Sequence, residues 1–266
     1  ASDLRVLSQE IAKNSTEAAS GKEEAFAQLK RSREDFEKLL GYIVNGNPET
    51  GLPASVLPIE TGVTARWENV RSNADRILEN QDTVLSLHQI AQTLNDTIPE
   101  LQVEYEDVVS ILLDGDAPAD QISVAERQSL RAERIVRSVN NILSGDEDAA
   151  IAANRFGQDA RLFGRVMNSM FDGNEAMEIS QVTDEDAIYG LEAIAELFEY
   201  VDSNVQAILE TSPELFKVRK AANLIFEDSI ALLDETYALS NSVQSQADGR
   251  FFSAALAYFI LALIIA

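Results

Sequence analysis

The chain has 266 residues, of which 45 are acidic and 21 are basic, so its formal net charge is −24. This acidity disfavours nucleic acids and anionic lipid surfaces as partners. There is no cysteine and only one histidine, His88, which excludes disulfides, thiolate metal ligands, histidine-rich metal centres and a histidine-based catalytic triad. We therefore expect no catalytic residue, no metal ligand and no cofactor, and a protein that is not an enzyme.

The first half of the sequence begins with two predicted helices. Apolar residues recur at helical spacing from Leu4 to Ala18, and long stretches of strand-like alternation are missing, which predicts an all-α fold. The segment Ser20-Gly21-Lys22-Glu23 predicts a break with a capping box, in which Ser20 accepts a hydrogen bond from the Glu23 amide. The second helix is expected to end at the turn residues Asn45-Gly46-Asn47-Pro48.

Two further helices complete the first half. Residues 46–58 contain several helix breakers and predict a loop. A third helix follows, and around Asn80 it either breaks or continues into a fourth. Pro99 is expected to kink or restart that helix, which ends in a loop at residues 114–118.

The second half of the sequence repeats the first. Phe36…Asn45-Gly46-Asn47 is echoed by Phe163…Asp172-Gly173-Asn174, and six of the ten positions in residues 70–79 are identical in residues 201–210. Ordered matches of this kind indicate a tandem duplication. A four-helix bundle is the simplest way to bury four apolar stripes. We therefore predict two four-helix-bundle modules with long helices, at residues 1–118 and 119–250.

Two aromatic residues and three glycines inside these helices bear on how the helices pack. Trp67 and Phe198 are equivalent in the repeat, which favours a place in the core. Gly157, Gly164 and Gly190 lie inside helical patterns, where each costs about 1 kcal/mol relative to alanine. They mark either close packing of helices or places where a helix yields, and the sequence leaves this open.

The end of the sequence predicts a long helix that enters a membrane. Ser212-Pro213-Glu214 has the features of a helix start. Beyond Gly249-Arg250 the sequence is apolar, and residues 251–266 are shorter than the roughly 20 residues that a spanning helix needs. We expect these residues to be the start of a truncated transmembrane helix; the alternative is a buried C-terminal core helix.

The predicted first helix contains the motif Leu4-Arg5-Val6-Leu7-Ser8-Gln9-Glu10-Ile11-Ala12-Lys13. This motif resembles that of the PilJ domain family, the helical extracytoplasmic modules of type IV pilus chemotaxis-like transducers. Residues 89–109, 194–199 and 208–213 are similar to such transducers as well, so the resemblance covers almost the whole chain. It implies the periplasmic part of an inner-membrane, methyl-accepting receptor. It also implies control of twitching motility, homodimerisation, recognition of pilin or a small anion, and cytoplasmic kinase and adaptor partners.

The same motif is similar to that of nitrate and nitrite sensor kinases, in which an arginine matching Arg5 binds the anion across a dimer axis. Arg5, Ser8 and Gln9 have i, i+3 and i+4 spacing, so we expect them to share a helix face and bind a ligand. In the alternative interpretation, Arg5 pairs with Asp3 or Glu10 on the surface. At the level of the whole protein, the alternatives are a nitrate-sensor-like histidine kinase and a membrane-anchored helical spacer without a signalling role.

Overall fold

The structure is a computed structural model. It describes residues 2–51, 53–55, 57–144 and 149–265, and in these ranges the side chains of residues 3–245. This part of the chain is helical nearly throughout, and an isolated antiparallel bridge joins Asn174 to Ile179. The predicted all-α fold is therefore confirmed.

Within the described ranges the chain forms eight α-helices. They are α1 (Ser2–Ala19), α2 (Glu23–Asn45), α3 (Leu57–Glu60), α4 (Val63–Glu79), α5 (Gln81–Asp114), α6 (Ala119–Ser144), α7 (Ala149–Asp172) and α8 (Glu185–Ile265). A short 3-10 helix, Glu175–Met177, lies between α7 and α8.

Unit 1 is compact and comprises Ala1–Gln81 and Val218–Ala266. Its α1 packs along α2, and α2 contacts α4. The side chains Val218, Ile225, Leu232 and Leu239, which recur every seventh residue along α8, are each at most 1% exposed. This seven-residue spacing keeps one stripe of the helix directed at a neighbour.

Unit 2 comprises Asp82–Lys217. It contains α5, α6, α7 and the first part of α8, and α6 packs along α7. Each unit thus has four long helical segments. The first half of the sequence supplies α1, α2 and α4 to unit 1 but its fourth long helix, α5, to unit 2. The second half supplies α6, α7 and the first part of α8 to unit 2 but the last part of α8 to unit 1. The predicted boundary between residues 118 and 119 lies inside unit 2. The assignment of 1–118 and 119–250 to two evolutionary modules stays a prediction.

The expected capping box at Ser20 is wrong. Gly21 has φ 81° and its N–H donates to the Ala18 carbonyl at 2.9 Å, while the Lys22 N–H donates to the Glu17 carbonyl at 3.2 Å. These bonds close the C-terminal end of α1 around a left-handed glycine. Ser20 therefore follows directly after α1, and its hydroxyl donates to the Thr16 carbonyl at 2.8 Å instead of capping α2.

The expected helix start at Ser212-Pro213-Glu214 is also wrong, because α8 continues through Pro213. Proline lacks the N–H that would bond to the Leu209 carbonyl. The Ser212 hydroxyl donates to that carbonyl at 3.4 Å, so the acceptor is not left without a partner. Pro99 likewise lies inside α5 and does not restart it.

The predicted membrane helix is not confirmed. The backbone of residues 251–265 is helical as part of α8, but the side chains from residue 246 onward lie outside the described residues. Among the residues that were described, no helix has an apolar stretch of the length that a membrane crossing needs.

We predict that Pro213→Ala raises the melting temperature of the 266-residue chain. Alanine restores the N–H and removes the ring, and the difference between these residues inside a helix is about 3 kcal/mol at most. Differential scanning calorimetry measures the shift. Pro53→Ala, made in the loop after α2, is the matched control and is expected to lower stability slightly because the unfolded chain gains freedom. A lower melting temperature for Pro213→Ala would show that α8 depends on proline at this point.

A second prediction concerns Asp120 in the first turn of α6. Its Oδ2 accepts hydrogen bonds from the Ser180 hydroxyl at 2.6 Å and the Ser180 N–H at 2.8 Å, and these bonds lower the pKa of Asp120. A lowered folded-state pKa stabilises the fold above the unfolded value of about 3.9, and this contribution is lost as the pH falls through the folded value. We expect Asp120→Asn to lower the melting temperature at pH 7, and we expect this loss to shrink as the pH falls below about 4. Asp107→Asn, on the exposed face of α5, should have little effect over the same pH range. A loss for Asp120→Asn that does not shrink with falling pH would contradict the prediction.

Candidate functional site

The three residues predicted to bind a ligand do not all face the same way. Arg5 and Gln9 are exposed on α1, whereas Ser8 is 1% exposed and its hydroxyl donates to the Arg5 carbonyl at 2.8 Å. Each helical residue advances by about 100°, so Gln9 lies close to Arg5 while Ser8 turns toward the buried stripe that contains Leu4 and Ile11. Ser8 is therefore buried while Arg5 and Gln9 are exposed, and the binding of a ligand by these three residues stays a prediction.

Arg5 contacts an aromatic ring of unit 1. Its Cζ lies 5.0 Å from the centroid of the Tyr237 ring on α8. A guanidinium over a tyrosine face is a cation–π contact, and one side of the plane stays available to another partner. No ion pair forms between Arg5 and Asp3 or Glu10 among the described side chains. Tyr237 itself is 52% exposed, so the contact lies at the surface.

A second charged cluster joins α4 to α8 in unit 1. Arg66 Nη1 donates to Asp228 Oδ1 at 2.8 Å, and Nη2 donates to Glu235 Oε1 at 3.3 Å. The hydrogen bond to Asp228, which has the larger effect, and the hydrogen bond to Glu235 raise the pKa of Arg66. Asp228 and Glu235 stand one heptad apart, so a single guanidinium holds one stripe of α8 against α4. A rotation or sliding of α8 requires these bonds to break or exchange.

A carboxylate in unit 1 forms polar contacts beside a stacked aromatic pair. The rings of Phe36 and Trp67 are stacked with centroids 4.1 Å apart, and Trp67 is 2% exposed. Trp67 Nε1 donates to Glu37 Oε2 at 2.5 Å, and Arg71 Nη1 donates to Glu37 Oε1 at 3.3 Å. The Glu37 carboxylate therefore connects α2 with two residues of α4.

The equivalent place in unit 2 has the aromatic pair but not the carboxylate. The rings of Phe163 and Phe198 are stacked with centroids 4.6 Å apart, and Phe198 is 4% exposed. Both Trp67 and Phe198 are thus core residues, as predicted. The residue after Phe163 is Gly164, in the position that Glu37 occupies after Phe36. A Cβ atom at Gly164 would lie 3.0 Å from Phe198 Cε1, so this glycine marks close packing of α7 against α8.

Unit 2 also contains a buried polar cluster behind its aromatic pair. Gln128 is fully buried, and its Nε2 donates to the Phe163 carbonyl at 2.8 Å and to the Tyr105 hydroxyl at 3.5 Å. Gln128 in turn accepts a hydrogen bond from Arg131. Burial raises the pKa of Tyr105 and lowers that of Arg131. The Tyr105 hydroxyl therefore stays protonated at neutral pH and serves to fix the packing of α5, α6 and α7.

The sequence does not predict that Tyr237 neighbours Arg5. It also does not predict that Arg161 and Arg165 line a groove between α7 and α8. Tyr237 follows the exposed Ile230 by one heptad, a spacing that signals a shared face of α8. Gly164 was recognised as an unusual helical glycine, and it lies between the two arginines. Among the described residues, no group of three or more His, Cys, Asp or Glu side chains could hold a metal ion.

Comparison with known proteins gives one family. Residues 1–93 match the family model described as PilJ, type IV pili methyl-accepting chemotaxis transducer N-term. The whole chain is 55% identical to the protein PilJ of Pseudomonas aeruginosa, of which it covers 39%. Over 94% of its length it is 48% identical to the methyl-accepting chemotaxis relative AlkN of Alcanivorax borkumensis, of which it covers 36%. The chain thus spans less than two fifths of either relative.

We predict that Trp67→Phe lowers the free energy of unfolding by about 1–2 kcal/mol, because the Glu37 carboxylate loses its indole donor while the stacked ring is kept. In a Glu37→Ala background the same change should cost much less, as a double-mutant cycle by urea unfolding would measure. Glu34→Ala, on the exposed face of α2, is the matched background and should leave the cost unchanged. Equal costs in all three backgrounds would mean that the Trp67–Glu37 bond contributes nothing.

Proposed function

Because the chain belongs to the PilJ family of type IV pili methyl-accepting chemotaxis transducers, we propose that it is the periplasmic sensor region of an inner-membrane transducer that controls twitching motility. The family relationship at 55% identity over the full chain is the observation that carries this proposal. In it, the chain is a receptor and not an enzyme, and its output passes to cytoplasmic kinase and adaptor partners. The predicted two-bundle architecture supplies the sensing part.

In this proposal a bound ligand or pilin alters the position of α8. This helix runs for 81 residues from Glu185 to Ile265 without a break. A small rotation or translation of one helix is a common switching movement in receptors, and a ligand drives it only by its difference in affinity for the two positions. The Arg66 bonds to Asp228 and Glu235 are among the polar contacts of unit 1 that such a movement would exchange.

The proposal includes a homodimer with an anion site at Arg5 and Gln9. Both side chains are exposed, and Arg5 already rests on the exposed Tyr237 ring. The same unit carries further exposed apolar side chains: Val6 at 58%, Phe226 at 61% and Ile230 at 63%. Phe226 and Ile230 stand about one helical turn apart on α8, and exposed apolar side chains that share a helix face favour contact with another protein surface. Ser8 has no part in this site, because its hydroxyl is turned inward.

The proposal is tested by thermal unfolding of the 266-residue chain with nitrate, with other small anions and with purified pilin. A ligand present at 100 times its dissociation constant should add about 2.7 kcal/mol of stability. We expect a shift with pilin or with a small anion, and an anion-dependent shift should vanish in Arg5→Ala. Arg31→Ala, which removes an exposed arginine of α2, is the matched control and should keep the shift.

The possible results separate the competing functions. A shift with an anion that needs Arg5 supports direct sensing in the manner of nitrate receptors. A shift with pilin that is kept in Arg5→Ala supports sensing of the pilus itself and removes Arg5 from the site. The absence of any shift contradicts ligand recognition by this chain and favours the helical spacer.

A further inference from the structure

A groove lies between α7 and α8 inside unit 2. Its volume is about 690 Å³, which falls within the range of about 300–1,000 Å³ typical of small-molecule sites. Gly164 and the Phe198 ring line it together with apolar side chains of both helices. The close approach of Gly164 to Phe198 leaves the groove without a side chain at the centre of the α7 wall.

Two pairs of like charges line this groove. Arg161 and Arg165 stand one turn apart on α7, and Glu199 and Asp202 stand three residues apart on α8. All four are exposed. Like charges at such spacings on a helix repel each other and destabilise it by a few tenths of a kcal/mol. Counterions or a ligand of opposite charge would relieve both repulsions.

The four charged side chains form no ion pair with one another. Among the side chains that the structure describes, no ion pair joins α7 to α8, and the guanidinium groups of Arg161 and Arg165 form no hydrogen bond. Unit 1 is different at the equivalent helix pair. There the Arg71–Glu37 and Arg33–Asp75 ion pairs connect α4 to α2.

The repeat explains this difference. The position of Glu37, whose carboxylate accepts from Trp67 and Arg71 in unit 1, is occupied by Gly164 in unit 2. The position of Arg71 is occupied by Asp202, which cannot take the same role. In unit 1, side chains of the unit itself therefore bridge the two helices at this position. In unit 2 the stacked aromatic pair is kept, but the charged side chains on the two helices have no ion-pair partners.

We propose that the α7/α8 groove of unit 2 binds a small zwitterion with an apolar part, the class of amino acids with apolar side chains and of short apolar peptides. Arg161 and Arg165 bind the carboxylate, for which guanidinium groups are well suited. Glu199 and Asp202 bind the ammonium group. The apolar part packs against Phe198. This binding site does not depend on the signalling role or on Arg5, so its failure would leave the proposed transducer function standing.

The test is isothermal titration calorimetry of the 266-residue chain with L-phenylalanine and with the dipeptide Leu-Phe. We expect at least one of them to bind, and its N-acetylated and C-amidated forms to bind at least about tenfold more weakly, because each lacks one charged group. The two blocked forms distinguish a zwitterion site from a simple anion or cation site.

Variants then locate the binding. Arg161→Gln/Arg165→Gln should raise the dissociation constant at least about tenfold, the size of effect that loss of charged hydrogen bonds produces. Gly164→Ala should weaken binding by placing a methyl group at the centre of the α7 wall, 3.0 Å from Phe198 Cε1. Arg155→Gln, an exposed arginine of α7 outside the groove lining, is the matched control and should have no effect.

Because the arginines are exposed, the double variant is expected to fold, which circular dichroism would verify. The proposal is overturned if neither probe binds the unaltered chain at millimolar concentration. It is equally overturned if a probe binds the Arg161→Gln/Arg165→Gln variant as tightly as the unaltered chain, or if the blocked forms bind as well as the free zwitterion.

Discussion

The continuity of α8 is the constraint on which the organisation of this chain depends. The helix passes through Pro213 without a break, and its buried residues belong to both compact units: Leu191, Ile194 and Phe198 to unit 2, and Ile225, Leu232 and Leu239 to unit 1. A break at residue 213 would have allowed the last helix to return to its own repeat. Because α8 does not break, each unit is completed by a helix from the other half of the sequence.

The two units share a core plan and differ in the polar groups around it. Phe36–Trp67 and Phe163–Phe198 are stacked pairs at equivalent places, with interplanar angles of 23° and 28°. Burial of such rings contributes most of the packing energy of a small bundle, so it restricts change at these positions. The adjoining position is free to diverge, and it is Glu37 in one unit and Gly164 in the other. Both units thus keep a stacked aromatic pair while the residue beside it differs.

Sequence reasoning predicted most of the helices because their apolar stripes have a strong period, and it placed Trp67 and Phe198 in the core. It failed at Ser20 and at Ser212-Pro213, where the same residue types serve more than one local structure. Ser20 closes α1, and the Ser212 hydroxyl supports a continuous helix by donating to the Leu209 carbonyl. A local motif states which hydrogen bonds are available, whereas tertiary packing decides which of them form.

Candidate binding residues were harder to predict, because a site depends on which charges remain without partners. Arg5 was identified by resemblance, but its Tyr237 neighbour lies 232 positions away in the sequence. Arg161 and Arg165 resemble many surface arginines in an acidic chain, and Glu199 and Asp202 appear suitable as their partners. Only the structure shows that these charges face one groove without pairing across it. The internal repeat makes the missing ion pairs easy to recognise, because the equivalent position of unit 1 has the Arg71–Glu37 ion pair with which the unpaired charges of unit 2 can be compared.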